Sequence, residues 1–339
     1  MKSGKGERIL IAGGAGFIGS YLCEAYLAEG AQVVCLDNLH TGLPENVRAF
    51  GSDPRFDLIE ADIATVAPKK VAGKGSPFSL IINAACPASP PHYQADPQHT
   101  LLTCVVGTNM LLGLAEQHGA RFVMCSTSEV YGDPLVHPQA ETYWGNVNPT
   151  GPRACYDEGK RAAETLCFDY LRQARVDVRV ARIFNTYGPR MRADDGRVVS
   201  NIVCQALADA DITIYGEGRQ TRSFCYVSDM VDGLMRLAAH KGPLQSAINL
   251  GNPNEITIAD LVSTVLEMID TRSTVVKLPL PPDDPQRRRP DIALAKRHLD
   301  WQPTVDLATG LSRTIAHFAR QFAGDAKTLR EPLTAVDAR

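Results

Sequence analysis

This chain of 339 residues has no apolar run approaching the ~18 residues that cross a bilayer. No membrane span is expected. It has no excess of either charge: 35 Lys and Arg stand against 38 Asp and Glu, leaving −3. No global field therefore draws it to nucleic acid. Its nine cysteines lack any C-x-x-C or other paired spacing. An odd, dispersed set excludes a disulfide framework and fits free thiols in a reducing cytosol, with Cys35 and Cys125 read as small core residues. The eight histidines form no H-x-x-x-H and no Cys/His cluster, so no metal site is expected. Internal repeats are missing. Met1 to Glu7 has no apolar centre, so it does not read as a secretory signal, and a cytoplasmic location is expected.

What the chain does have begins at Gly13-Gly14-Ala15-Gly16-Phe17-Ile18-Gly19. An apolar run, Ile9 to Ala12, precedes it, and an apolar-periodic segment, Tyr21 to Ala28, follows. Strand, glycine turn and helix form a dinucleotide-binding pattern. Gly13 permits the tight turn, Gly16 lets backbone approach a pyrophosphate, and Gly19 lets helix and strand pack closely. The helix start offers free N–H groups and the positive end of its dipole. The spacing is G-x-x-G-x-x-G, a weak signal alone. A second strand, Gln32 to Leu36, delivers Asp37 where an acid binds adenosine ribose hydroxyls and rejects a 2′-phosphate. The expected cofactor is NAD.

Further strands are predicted at Phe56 to Glu60, Leu80 to Asn83, Arg121 to Cys125 and Val176 to Arg182. Helices are predicted at Leu101 to Gln117 and Asp157 to Gln173. This alternation implies an α/β, Rossmann-type doubly wound parallel sheet, with ligand at the carboxyl ends of its strands. Later segments change character. Helices are predicted at Val198 to Ala208 and Ser228 to Ala239, and short strands at Ile212 to Tyr215 and Ala247 to Leu250. Thr257 with Asp260 suits a helix start, and Pro279 to Pro290 reads as a basic loop. The expected division is a Rossmann domain over 1–188 and a smaller C-terminal substrate-binding lobe over 189–324, some segments returning to the first domain. A polar tail, 325–339, is expected to fray.

Three groups of residues carry chemistry. Tyr156 and Lys160 form Y-x-x-x-K, and i,i+4 spacing puts both on one helix face. A nearby ammonium and an oxidised nicotinamide favour the phenolate, so Tyr156 can take a proton from a sugar hydroxyl. Ser126-Thr127-Ser128-Glu129 follows a strand end. There Thr127 can bond the same hydroxyl, and Glu129 is a candidate acid, base or orienting group. Arg222 and the run Arg287-Arg288-Arg289 are local concentrations of positive charge in a slightly acidic chain, of the residue type that suits bidentate phosphate contacts.

Together these motifs resemble the extended short-chain dehydrogenases/reductases acting on nucleotide sugars. Ala85 to Gln94, Ser126 to Glu141, Tyr143 to Pro149, Cys155 to Arg161, Arg182 to Arg190 and Asp195 to Asn201 narrow the resemblance to the UDP-glucuronate decarboxylases. It runs from about Arg8 to Phe318. It implies conversion of UDP-glucuronate to UDP-xylose and CO2, by C4 oxidation, decarboxylation and C4 re-reduction, with NAD regenerated. Thr127, Glu129, Tyr156 and Lys160 are the implied catalytic set. The implied cofactor contacts are Gly13, Gly16, Phe17, Ile18, Gly19, Asp37, Asn38, Thr41, Gly42, Asp62, Ile63, Ala84, Ala85, Asn109, Tyr156 and Lys160. Asn185, Arg197, Val199, Tyr215 and Arg222 are implied at the UDP site, with Arg288 near the diphosphate, and His92-Tyr93 is expected near substrate. Asn83-Ala84 replaces the His-Leu more usual in the family, and Val66 to Pro77 departs from its pattern.

The competing readings are a nucleotide-sugar 4,6-dehydratase, a 4-epimerase and a non-catalytic NAD-binding protein. Dehydratases carry Thr-Asp-Glu at the strand end, where this chain has Thr127-Ser128-Glu129; Ser128 is a poor acid for elimination. Epimerases usually lack the glutamate. The family forms homodimers through two helices per subunit. Leu101 to Gln117 and Asp157 to Gln173 are the candidates here, the second offering Ala162, Ala163, Leu166, Cys167 and Tyr170.

Overall fold

The computed structural model describes residues 6–281 and 283–324. The tail expected over 325–339 lies outside the described residues. Seven parallel strands form the central sheet, in the order Ile248–Leu250, β6 (Val178–Ile183), β5 (Arg121–Thr127), β4 (Leu80–Asn83), β1 (Arg8–Ala12), β2 (Gln32–Asp37) and β3 (Phe56–Glu60). Alternation along each strand feeds two separate cores. Ile9, Ile11, Val33, Cys35, Val123 and Cys125 enter one. Leu10, Ala12, Val34, Leu36, Phe122 and Met124 enter the other, on the opposite face. A sheet covered on both faces explains why its central strands read as continuous apolar runs.

The chain order reverses between β1 and β4, which pair directly. Crevices at such reversals take ligand in open α/β sheets. The glycine turn leaves β1 there and leads into helix α1, Phe17–Ala28. Two segments beyond residue 189 return to this first layer. Strand Ile248–Leu250 pairs with β6, and helix Val227–Ala239 contributes Met230, Leu234 and Leu237 to the α1 core. The remaining short strands stand apart from the central sheet.

Several elements differ from expectation. The predicted helix Leu101 to Gln117 is broken into Pro97–Leu102, a wide π-helical turn Thr103–Gly107, and Thr108–His118. The strand predicted to end at Cys125 continues to Thr127, because Cys125, Ser126 and Thr127 stay in register with Ala181, Arg182 and Ile183. The basic loop contains a strand, Arg287–Arg288, paired in parallel with Thr221 and Arg222. Thr257 and Asp260 do form a reciprocal capping box on helix Ile258–Met268. All nine cysteines are free thiols, and Cys35 and Cys125 are buried.

Candidate active site

The glycine turn is held by backbone geometry that side chains would break. Gly13 has φ of +76°, and a Cβ there would lie 2.6 Å from the Ala84 carbonyl oxygen. A Cβ on Gly19 would lie 2.0 Å from the Gly13 carbonyl oxygen. Only glycine allows this close approach. Asp37, at the end of β2, is buried behind the turn. Its carboxylate accepts from the Ala15 N–H at 2.9 Å and the Leu39 N–H at 2.8 Å. Burial pushes this carboxyl up, against those bonds. Gly42 lies against the same carboxylate, with room for no Cβ.

Beside it, Asp62 accepts from Asn38 Nδ2 at 2.9 Å and pairs with His99 Nε2 at 2.6 Å. His99 was not anticipated, since no motif marks it. Ile63 is buried and fills the space beside Gly107. Ala84 and Ala85 follow β4, where the Ala84 N–H bonds the Ala12 carbonyl at 2.8 Å. Phe17 and Ile18 are half-buried at the start of α1, and Thr41 is half-buried after β2. Asn109 is exposed and joins none of these contacts. Its neighbour Thr108 is buried instead and accepts from Asn83 Nδ2 at 3.0 Å. An open backbone cradle, a helix N-terminus and an acid at the next strand end suit a dinucleotide pyrophosphate and ribose.

Tyr156 and Lys160 lie on helix Ala154–Arg172 and are both buried. Lys160 Nζ donates to the Cys125 carbonyl at 2.9 Å and stands 5.9 Å from the centre of the Tyr156 ring. Burial pushes the Tyr156 phenol well up; Thr127 is the group that pulls it down. The downward pull expected on Tyr156 is that of Lys160 and an oxidised nicotinamide together. The Tyr93 ring stacks on Tyr156, and the Tyr93 hydroxyl is buried without a partner. Cys86 and Cys104 bring their sulfurs to 3.3 Å nearby.

Glu129 is the most tightly held group. Its Oε1 accepts from Arg288 Nη1 at 2.9 Å, and its Oε2 from Arg153 Nη2 at 2.6 Å. Burial pushes the carboxyl up, but Arg288 and Arg153 outweigh it and hold Glu129 at about 2. Arg288, expected near a diphosphate, is 1% exposed and also donates to Ser128 Oγ and the Gly132 carbonyl, each at 2.9 Å. The pairing of Arg288 with Arg222 across the short strands puts two cations side by side. Asp284 bridges Arg153 at 3.3 Å and Arg222 at 3.0 Å. Arg153 and Asp284 were not foreseen. A three-residue lead before Tyr156 and a proline-rich loop offer no recognisable spacing.

A second network fixes the strand end. Ser126 Oγ donates to Glu164 Oε1 at 2.6 Å, and Arg182 Nη2 donates to Glu164 Oε2 at 2.7 Å. Thr127 Oγ1 accepts from the Glu129 N–H at 3.1 Å, which orients both side chains. Of the remaining expected residues, Val199 is buried, Tyr215 is exposed, and Arg197 pairs with Asp195 and lies 6.0 Å from the Phe17 ring. Asn185 follows β6, its carbonyl accepting from the Cys225 N–H at 2.9 Å. His92 bonds Ser89 at 3.2 Å. Among the described residues, no group of His, Cys, Asp and Glu could hold a metal ion, and no helix is long and apolar enough to cross a membrane.

The model of the NAD dependent epimerase/dehydratase family matches residues 9–251. The chain is 52% identical over 325 residues to UDP-glucuronic acid decarboxylase 2 of Arabidopsis thaliana, covering 95% of this chain and 71% of that protein. It is 50% identical over 316 residues to UDP-glucuronic acid decarboxylase 1 of Danio rerio, covering 93% and 73%. Among solved structures, UDP-glucuronic acid 4-epimerase from Bacillus cereus, in complex with UDP-glucuronic acid and NAD, superposes with a TM-score of 0.82 at 28% identity, over 93% of this chain and 99% of the other.

Proposed function

This chain belongs to the NAD dependent epimerase/dehydratase family, and we propose that it decarboxylates UDP-glucuronate to UDP-xylose and CO2. The observation that carries the reading is Glu129, held ionised between Arg288 and Arg153 beside Thr127 and Tyr156. Three cations, Arg153, Arg222 and Arg288, face two carboxylates, Glu129 and Asp284. The surplus positive charge suits a substrate carrying a diphosphate and a carboxylate.

When bound, NAD would supply the acceptor for a hydride from sugar C4 and its donor once CO2 has left. Gly13, Gly16, Gly19, Asp37, Asn38 and Asp62 hold that cofactor. Tyr156 takes the proton of the C4 hydroxyl and gives it back at re-reduction. The oxidised sugar has its carboxylate β to a ketone, so CO2 leaves as electrons flow into an enolate at C4. Thr127 and Tyr156 stabilise that oxygen in the manner of an oxyanion site. Lys160, fixed by the Cys125 carbonyl, holds the nicotinamide ribose and tunes Tyr156. Arg222, Asn185, Arg197, Val199 and Tyr215 line the nucleotide end. Arg288 acts with Glu129 at the sugar, where the pair handles the proton at C5.

Ser128 argues against a dehydratase. Its hydroxyl accepts from Arg288 where elimination needs an acid. The paired Glu129 argues against an epimerase. A Rossmann lobe over 1–188, to which Val227–Ala239 and Ile248–Leu250 return, and a smaller lobe from the rest of 189–324 hold the nucleotide sugar between them. The enzyme works as a homodimer in the cytoplasm. Nine free thiols favour a reducing compartment. Exposed Leu101, Leu102 and Val106 favour a helical partner face. Ala163 and Cys167, first considered for that face, are buried in this chain's own core. The test is substrate choice. Purified protein with NAD should consume UDP-glucuronate and leave UDP-glucose and dTDP-glucose unchanged; the reverse preference would overturn the assignment.

A further inference from the structure

Decarboxylation of a carboxylate consumes one proton per turnover. The C5–carboxyl bond breaks, its electron pair enters the C4 enolate, CO2 departs, and C5 then gains hydrogen. On the reading given above, on which this inference rests, Tyr156 cannot supply that proton. What it takes from the C4 hydroxyl it returns to the same oxygen. Glu129 cannot hold it in reserve either, because two arginines keep it ionised. The proton must arrive from solvent, yet this end of the site is buried.

One cavity offers the route. It encloses about 250 Å³ and is lined by Gly132, Asp133, Asn146, Asn148, Arg153, Asp157 and Asp283, with Val147. Asp133, Asn146, Asn148 and Asp283 are exposed and form its mouth. Arg153 and Asp157 form its inner end, and Arg153 grips Glu129. The volume holds several waters, each occupying about 30 Å³ in the liquid. Asp157 is 6% exposed, and its Oδ1 is buried with no hydrogen-bond partner. An ionised carboxylate would pay heavily for that position, whereas a carboxylic acid tolerates it.

We propose that Asp157 relays solvent protons from this cavity to Glu129 for the step in which C5 gains hydrogen. Its carboxylic acid passes a proton through cavity water to the Glu129 carboxylate, which does not store it but hands it on to C5 at once and returns to the ionised state its two arginines favour. The Asp157 carboxylate left behind is reprotonated from the mouth. No oxidant or reductant takes part. Asp157 acts through Glu129 and is therefore a positioning residue. Burial, and then the charge of Glu129, push its carboxyl up to about 8, with Arg153 and Arg288 opposing and Glu158 adding to the rise. Tyr93 faces the same cluster from helix Pro90–Ala95, and Asp133 and Asp283 face the cavity from its mouth.

The experiment compares the full chain with NAD as wild type, Asp157→Asn and Asp157→Glu. It records kcat and KM for UDP-glucuronate against pH, the solvent deuterium isotope effect, and the released UDP-4-keto-pentose. Wild-type kcat should fall as pH rises through about 8. Asp157→Asn should lose roughly tenfold or more in kcat with little change in KM, lose that alkaline limb, and release more keto sugar. Asp157→Glu should restore the limb. Wild-type kcat and an unchanged limb in Asp157→Asn would overturn the relay, as would failure of Asp157→Glu to differ from Asp157→Asn. If Asp157→Asn does not fold, the wild-type profile decides: no alkaline limb and no solvent isotope effect would overturn it. A wild type that leaves UDP-glucuronate untouched would overturn the decarboxylase assignment itself, a result distinct from all of these.

Discussion

The Tyr93 ring lies face to face with the Tyr156 ring, with centroids 5.1 Å apart and planes 4° from parallel. Tyr93 comes from the short helix Pro90–Ala95, and Tyr156 from the helix Ala154–Arg172. The stack fixes the plane in which the phenol meets the sugar hydroxyl. An aromatic pair contributes about 0.5–1.5 kcal/mol beyond its buried area. Tyr93→Leu should therefore lower kcat by roughly tenfold, since misplacement of a reacting group is costly. Tyr93→Phe should keep the stack and lose less than about threefold. Its melting temperature should not fall, because the deleted hydroxyl is buried and unpartnered. Initial rates of UDP-xylose formation and a thermal melt check both.

Arg288→Met should uncover half of the Glu129 carboxylate. Arg153 would still hold Oε2, but Oε1 would lose its charged donor. Removing one partner of a buried pair costs on the order of 3 kcal/mol. The variant should melt lower and lose at least about a hundredfold in kcat, read by the same assay. Arg222→Met should act differently. Arg222 bonds Asp284 and not Glu129, so KM for UDP-glucuronate should rise with a smaller fall in kcat.

Asp37→Ala should weaken NAD binding. The carboxylate orders the glycine turn through Ala15 and the following loop through Leu39. Hydrogen bonds to a charged group contribute about 1.5–3 kcal/mol, so Kd should rise roughly ten- to a hundredfold. Titration of the apoprotein with NAD by calorimetry gives the value directly.

Stability should depend on pH through two carboxyls of opposite sign. Glu129 is lowered from 4.5 to about 2 in the fold. Its contribution is complete above 4.5 and is lost as pH falls toward 2. Asp157 is raised from 3.8 to about 8. The folded chain keeps that proton while the unfolded chain releases it, so stability declines as pH rises from about 4 to about 8. In thermal melts across that window, Asp157→Asn should decline less than wild type. Parallel curves would contradict the placement of Asp157.

The sheet was legible because most of its strands are apolar runs, β1 leading straight into Gly13 and β2 ending at Asp37. β3 and β4 fall on the expected residues, and the Thr257 box caps its helix as expected. Periodicity alone could not reveal the π-helical turn at Thr103–Gly107, since it leaves the apolar pattern nearly intact. Of the expected site, the glycine turn, Asp37, Thr127, Glu129, Tyr156 and Lys160 all lie at strand ends or on the adjoining helix face. Arg153, Asp284 and Asp157 escaped notice. Their meaning comes from tertiary placement that no local spacing records, as in the contacts of Arg153 with Glu129, 24 residues away, and with Asp284, 131 residues away. Arg288 is expected in a basic loop near the diphosphate; the spacing gave no sign that strand pairing with Thr221 and Arg222 buries it against Glu129.

The most direct test of the account is the stoichiometry of one reaction. Purified protein with NAD and UDP-glucuronate would be followed by NMR for the nucleotide sugar, by trapping for CO2, and by absorbance for NADH. The account requires one UDP-xylose and one CO2 per UDP-glucuronate, with no net NADH. A UDP-4-keto-pentose accompanied by equal NADH would contradict the returned hydride, and a 4-epimer or a 4-keto-6-deoxy sugar would contradict the decarboxylase assignment.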